Sequence, residues 1–137
     1  MAISVCEVSI TQAPLELPAR ENNPVSGAIV DFWGVVRGIE EGREITGIEY
    51  EANRPMAEHQ MRSLAEAAVG KFGLARVLIR HRIGFVPAAE ASIVVRVESA
   101  RRSAAFSANQ WIMDELKQTV PIWKHPIFKE SDSPSPA

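Results

Sequence analysis

LARVLIRHRIG, residues 74–84, and ASIVVRV, residues 91–97, decide the fold class. In the first segment Ala75, Val77 and Ile79 share one parity and Arg76, Arg80 and Arg82 the other, with Leu78 as the exception. This is the period-2 pattern of a half-buried strand, here with a basic outer face. The second segment repeats it, placing Ala91, Ile93, Val95 and Val97 together. VPAAE, residues 86–90, supplies a turn between them, so a hairpin is the economical reading.

On either side of this pair the period changes. Upstream, Ala57, Met61, Leu64, Ala65, Ala68 and Phe72 fall at helical spacing, with Pro55 tolerated in the first turn and Gly70 and Gly73 near the stop. Downstream, Ala105, Ala108, Ile112 and Leu116 form a second helical stripe, which must end before Pro121. Further out, GAIVDFWGVV, residues 27–36, is apolar on both parities, which suits a strand covered on both faces or one placed at a subunit contact. GIEEGRE is turn-like, and ITGIEYEA reads as its partner strand. Residues Ile3 to Ile10 alternate loosely enough for a strand, and Pro14, Pro18 and Pro24 then break up a segment fit only for short helical turns. IWKHPIF offers a last short strand, and the tail ESDSPSPA is expected to stay disordered unless a partner holds it. Strands and helices in this order predict an α+β domain with a mainly antiparallel sheet and two principal helices.

Composition narrows the function. A chain of 137 residues, 46% hydrophobic and 23% charged, can bury one sizeable core, so a single domain is expected. The N-terminus MAISVCEVSI lacks the basic and apolar regions of a signal peptide, and charge interrupts every long apolar stretch. A cytoplasmic protein that does not enter the membrane is expected. The formal net charge of −2 gives no bulk attraction for nucleic acid, so any affinity for anions must be local. Cys6 is the single cysteine, which excludes an intramolecular disulfide and a multi-cysteine metal site. His59, His81 and His125 are not spaced as metal ligands, and no metal or cofactor is expected.

Local cation clusters are the chemical feature that remains. SARRSAAF places Arg101 and Arg102 where a strand passes into the second helix. Free amides and the positive dipole end gather there, which makes either a phosphate or carboxylate cradle or a pair of solvated arginines. Cations at a helix N-terminus oppose the dipole by about 0.3–1 kcal/mol each, so the pair is not favoured by helix formation alone. LKQTVPIWK brackets a proline turn with Lys117 and Lys124. Beside Ile122 and Trp123 such lysines can serve as nucleophile or proton shuttle, although a helix C-terminus stabilises the charged form; the other reading is a pair of surface cations. Glu49 and Glu51 share a strand face and read more simply as solvated.

Taken together, GAIVDFWGVVRG, EYEA with the following MAE, HRIG, SARRSAAF and the lysine pair of LKQTVPIWK resemble the large, catalytic subunit of molybdopterin synthase, the MoaE family. The likeness covers roughly residues 26–124. It implies an alpha/beta hammerhead-like fold over residues 1–129, with residues 130–137 as a Ser/Pro-rich tail. It also implies a sulfurtransferase of molybdenum cofactor biosynthesis. In that reaction a small ubiquitin-like sulfur-carrier subunit, through the thiocarboxylate of its Gly-Gly tail, gives sulfur to cyclic pyranopterin monophosphate and so makes the dithiolene of molybdopterin. Two large subunits would form a homodimer within a heterotetramer.

By the same resemblance Lys117 and Lys124 are the catalytic lysines, while Arg37, Arg101, Arg102, Phe32 and Met113 bind substrate. Three positions depart from the family pattern. Arg101 stands where a histidine is usual, and keeps an anion-binding charge but stays protonated. Asn53 replaces an aromatic residue, and is either a pocket wall or a helix cap. The C-terminal region is short, with Lys129 its last cation. The alternative reading is a non-catalytic carrier-binding paralogue that keeps the fold without the chemistry.

Overall fold

The computed structural model describes residues 5–130. The elements in order are β1 Val5–Thr11, β2 Ala28–Val35, β3 Ile39–Glu40, β4 Arg43–Ala52, α1 Arg54–Phe72, β5 Arg76–Arg82, β6 Gly84–Pro87, β7 Ala91–Ser99, α2 Arg102–Thr119 and β8 Ile122–Phe128. The α+β class and the two helices are as expected. Nearly the whole Ser/Pro-rich tail, like Ile3 at the start of the expected first strand, lies outside the described residues.

Both helices follow their apolar stripes. In α1, Ala57, Met61, Leu64, Ala65 and Ala68 are buried. Asn53 caps its start by accepting a hydrogen bond from the Met56 amide at 3.2 Å, so the cap reading holds at this position. Gly73 ends the helix in the left-handed region at φ 67°, where a residue without Cβ is unstrained. In α2 the buried set is Ala105, Ala108, Asn109, Ile112 and Leu116. Val120 leaves the helix in an extended conformation, as the residue before a proline prefers.

The larger sheet has the order β1-β5-β7-β2, with β1 parallel to β5 and the other pairs antiparallel. Val77 and Ile79 of β5 and Val95 and Val97 of β7 pack beneath both helices in the main core. Asn109 is the polar member of this layer, donating from Nδ2 to the Val30 and Val95 carbonyls at 3.1 Å each, and so ties α2 to β2 and β7.

The opposite face corrects one expectation. The arginine parity of β5 is not an open basic surface, because residues 12–21 lie across it without helical turns. Arg80 donates to the Glu16 carbonyl, Arg82 to that of Gln12 at 3.4 Å, and Arg96 of β7 to that of Pro18 at 2.8 Å. Arg76 pairs with Glu21 at 3.1 Å. Backbone carbonyls in a proline-broken segment have no ladder to join, and guanidinium groups supply their donors.

A second sheet corrects two more. The segment ITGIEYEA does not pair with β2; it forms all but the first two residues of β4, around which the smaller sheet is built. Residues 47–50 of β4 pair with β6 and also with β8, so these two strands flank it, and β3 closes a hairpin onto its start. Val86 and Pro87, assigned above to a hairpin turn, belong to β6. The hairpin of β5 and β7 exists, but its connection detours through the second sheet, whose own small core is Val36, Ile45, Ile48 and Val86. The strand Ala28–Val35 is an edge strand with Phe32, Trp33 and Val35 exposed, so it is not covered on both faces within this chain.

Candidate functional site

Where the C-terminal end of α2 meets both sheets, the chain leaves a cavity of about 530 Å³. Three cations line it. Lys117 comes from the last turn of α2, Lys124 from β8 and Arg37 from the loop after β2. The two lysines sit on different elements because Pro121 turns the chain from helix to strand between them. Met113 and Lys117 are four apart on α2 and therefore share a face. Lys124 is opposite Tyr50 in the ladder, which puts both side chains on one side of the smaller sheet.

The walls are apolar or neutral. Phe32 lies against Gly34, whose glycine identity has a steric reason: an added Cβ would stand 2.6 Å from Cγ2 of Ile93 and 3.3 Å from the Phe32 ring. His81 also lines the cavity. Its Nδ1 is 2.8 Å from the Arg82 carbonyl oxygen, so Nδ1–H is the donor and Nε2 is left unprotonated. The ring meets Tyr50 edge-on at 5.3 Å between centroids. Burial holds the His81 pKa below its ordinary value, against the opposing effect of the Arg82 carbonyl, so the imidazole is neutral near pH 7.

One carboxylate reaches this group of cations from the rim. Oε1 of Glu40 accepts a hydrogen bond from Nζ of Lys124 at 2.9 Å, and Oε2 is 3.9 Å from the Arg37 guanidinium. The hydrogen bond and charge of Lys124, with a further contribution from Arg37, hold the Glu40 carboxyl below its ordinary pKa.

Of the residues singled out from the sequence, Lys117, Lys124, Arg37, Phe32 and Met113 therefore share one cavity. Arg101 and Arg102 do not join them. They line a separate recess of about 410 Å³ with Gly27, Ala100 and Ser103 at the opposite end of α2. At about 1.5 Å per residue, Arg102 and Lys117 are about 22 Å apart along the helix. Arg101 is the N-cap residue and makes no side-chain cap bond, so both arginines keep their guanidinium groups exposed.

Glu40, Tyr50, Gly34 and His81 were not found by reading the sequence. Glu40 sat in a charged turn with no distinguishing pattern, and His81 was considered only as a metal ligand. Among the described residues no group of three His, Cys, Asp or Glu side chains is placed to hold a metal ion, and no helix is long and apolar enough to cross a membrane.

What the cavity can do follows from its charge and shape. Three cations at the mouth bind and orient anions, and neutral polar groups deeper in can accept hydrogen bonds from an uncharged ring or amide. Comparison with known proteins points the same way. The family model described as MoaE protein matches residues 10–119. The molybdopterin synthase catalytic subunit of Thermoplasma volcanium is 42% identical over 119 residues, covering 87% of each chain. That of Bos taurus is 40% identical over 111 residues, covering 81% of this chain, which spans only 59% of the bovine protein's length. Among solved structures, molybdopterin synthase from Staphylococcus aureus superposes with a TM-score of 0.80 at 30% identity, covering 89% of this chain and 91% of that one.

Proposed function

Because this chain belongs to the MoaE family, we propose that it is the catalytic subunit of a cytoplasmic molybdopterin synthase, moving sulfur from the thiocarboxylate tail of a small ubiquitin-like carrier onto cyclic pyranopterin monophosphate. The observation that carries this reading is the convergence of Lys117, Lys124 and Arg37 on one cavity from three separate elements. Both substrates are anions, so one group of cations can hold the thiocarboxylate and the phosphate together. It can also stabilise the charge that develops as sulfur attacks the pterin.

Lys117 is assigned the place beside the transferring sulfur, and Lys124 the positioning of substrate or transfer of a proton. Phe32 and Met113 form apolar wall on which the carrier's narrow glycine tail can lie. The domain that does this runs over residues 1–129, with 130–137 as its tail.

Arg101 and Arg102 enter this scheme through a second copy of the chain. β2 is an edge strand with exposed Phe32, Trp33 and Val35, an arrangement that a homodimer would cover. If two copies pair antiparallel along β2, the Gly27 end of one meets the Val35 end of the other. The recess holding Arg101 and Arg102 adjoins Gly27, and Arg37 follows Val35, so each pocket would receive the arginines of the neighbouring copy.

The test is to mix the purified protein with thiocarboxylated carrier and the cyclic pterin phosphate, and to follow dithiolene product by mass spectrometry. Product is expected from the wild-type chain, and loss of at least about 100-fold from Lys117→Ala with dimer and carrier binding intact. Carrier binding without any product in the wild type would instead identify a docking paralogue.

A further inference from the structure

The pocket's cations are already in contact with a carboxylate before any substrate arrives. Glu40 stands on the two-residue strand β3, whose hairpin turns at Glu41 and Gly42 with φ of 54° and 74°. From there its carboxylate spans Lys124 on β8 and Arg37 on the loop after β2. Its side chain is only 17% exposed, against 57% for Lys124 and 84% for Arg37, so the acid is more sheltered than either base it holds. Glu40 stands at the rim; the charged residues that line the cavity itself are cationic, with Lys117 from α2 as the third, and Tyr50 from β4 and His81 from β5 line it beside them.

Three like charges converging on one concavity repel one another, and long flexible side chains relieve that repulsion by turning outward into water. A carboxylate placed between two of them offsets the repulsion and fixes their direction. The same carboxylate competes with any anion that comes to those two cations.

We propose that Glu40 is the resident anion of this pocket, a positioning residue that holds Lys124 and Arg37 together while the pocket is empty and is displaced from them by the anionic group of the substrate. The proposal rests on the assignment of this cavity as the substrate site. It makes the hairpin of β3 and β4 part of the site, although it brings no group to the reacting atoms. Because Lys124 holds the Glu40 carboxyl below its ordinary pKa, Glu40 remains ionised throughout the neutral range and its competition is constant there.

Inorganic phosphate is a suitable probe, measured by calorimetry on the full-length wild-type protein, Glu40→Gln, Glu40→Asp and the double variant Glu40→Gln/Lys124→Gln. Removing a competing ion pair whose two cations are largely exposed should tighten phosphate binding about two- to fivefold in Glu40→Gln. Glu40→Asp should stay near wild type, and the gain should vanish when Lys124 is also replaced. In the sulfur-transfer assay, Glu40→Gln should lower KM for the pterin phosphate without raising kcat. Phosphate binding that is unchanged or weaker in Glu40→Gln overturns the proposal, since a merely structural role would loosen the site. These isotherms do not depend on turnover, so they decide the role of Glu40 even if the wild-type chain transfers no sulfur.

Discussion

Arg102 and Lys117 stand at the two ends of the same helix, about 22 Å apart at about 1.5 Å per residue, with their side chains in different cavities. No side chain spans that distance, so the two cannot serve one substrate within one chain. If both are needed, they must act across a dimer. Arg102→Ala and Lys117→Ala should then each remove most activity as homodimers. A mixed dimer carrying one substitution in each copy retains one intact pocket and should recover about half of wild-type turnover, by simple counting of sites. An inactive mixed dimer would show that the two residues act in the same chain, or that Arg102 plays a different part.

Asp31 and Arg96 face each other across β2 and β7 and form a two-pronged pair at 2.7 and 2.9 Å. Arg96 is 7% exposed; it also donates to the Pro18 carbonyl and feels the charge of Glu98. The Asp31 hydrogen bonds raise the pKa of Arg96 further, and a guanidinium titrates so far above neutral that it stays charged even when that partner is removed. Asp31→Ala should therefore strand a buried cation and cost on the order of 2–4 kcal/mol, somewhat below the figure for a fully buried pair because Asp31 keeps some exposure. Urea denaturation measures this. A loss under about 0.5 kcal/mol, the scale of an ordinary surface change, would mean that water replaces the carboxylate freely.

Asn109 is the buried polar contact between α2 and the larger sheet. Asn109→Leu keeps the branched shape at a larger volume but leaves the Val30 and Val95 carbonyls without the side-chain donor, and is expected to cost about 1–3 kcal/mol. Thermal unfolding followed by circular dichroism reads the change. Stability equal to wild type would show that both carbonyls are satisfied well enough without the amide.

His81 gives stability a pH dependence whose sign is fixed. Its folded pKa lies below its ordinary value of 6.5 because burial penalises the charged ring. As pH falls through about 6.5 the unfolded chain gains a proton at this residue that the folded chain resists. The stabilising contribution is thus complete above that pH and is lost progressively below it. Between pH 7.5 and 5.5, wild type should lose more stability than His81→Leu, whose other ionisable groups are the same. Equal losses in the two proteins would mean that His81 is protonated in the folded state without penalty.

The residues of the candidate site were legible through the resemblance to the MoaE family, while local signals assigned them only to their elements. Lys117 and Lys124 stand seven residues apart around Pro121, and the need to end a helix before a proline and start again in an extended strand puts the two lysines on different elements. Phe32 and Arg37 lie close together at the end of one strongly apolar stretch. Glu40 left no such trace: a carboxylate in a charged turn reads as solvated, and its contact with Lys124 joins residues on two strands far apart in the chain. His81 fell on the apolar parity of β5, but parity does not say that the ring would border a cavity.

By itself, the sequence determined both helices and their limits, most of the strands and the α+β class. These follow from periodicities of 2 and 3.6 residues, from caps and from prolines, all of which act within a few positions of the chain. Beyond the pairing of β5 with β7, only the tertiary structure decided which strands pair, that the arginine face of β5 is covered by residues 12–21, and that β4 gathers β6 and β8 into a second sheet. It alone also separated Arg101 and Arg102 from the lysines and seated Glu40 against Lys124. The physical reason is that a strand's pattern specifies which side is buried but not which edge finds a partner. Pairing and charge contacts between distant residues depend on how the whole chain closes its loops and satisfies its backbone polar groups.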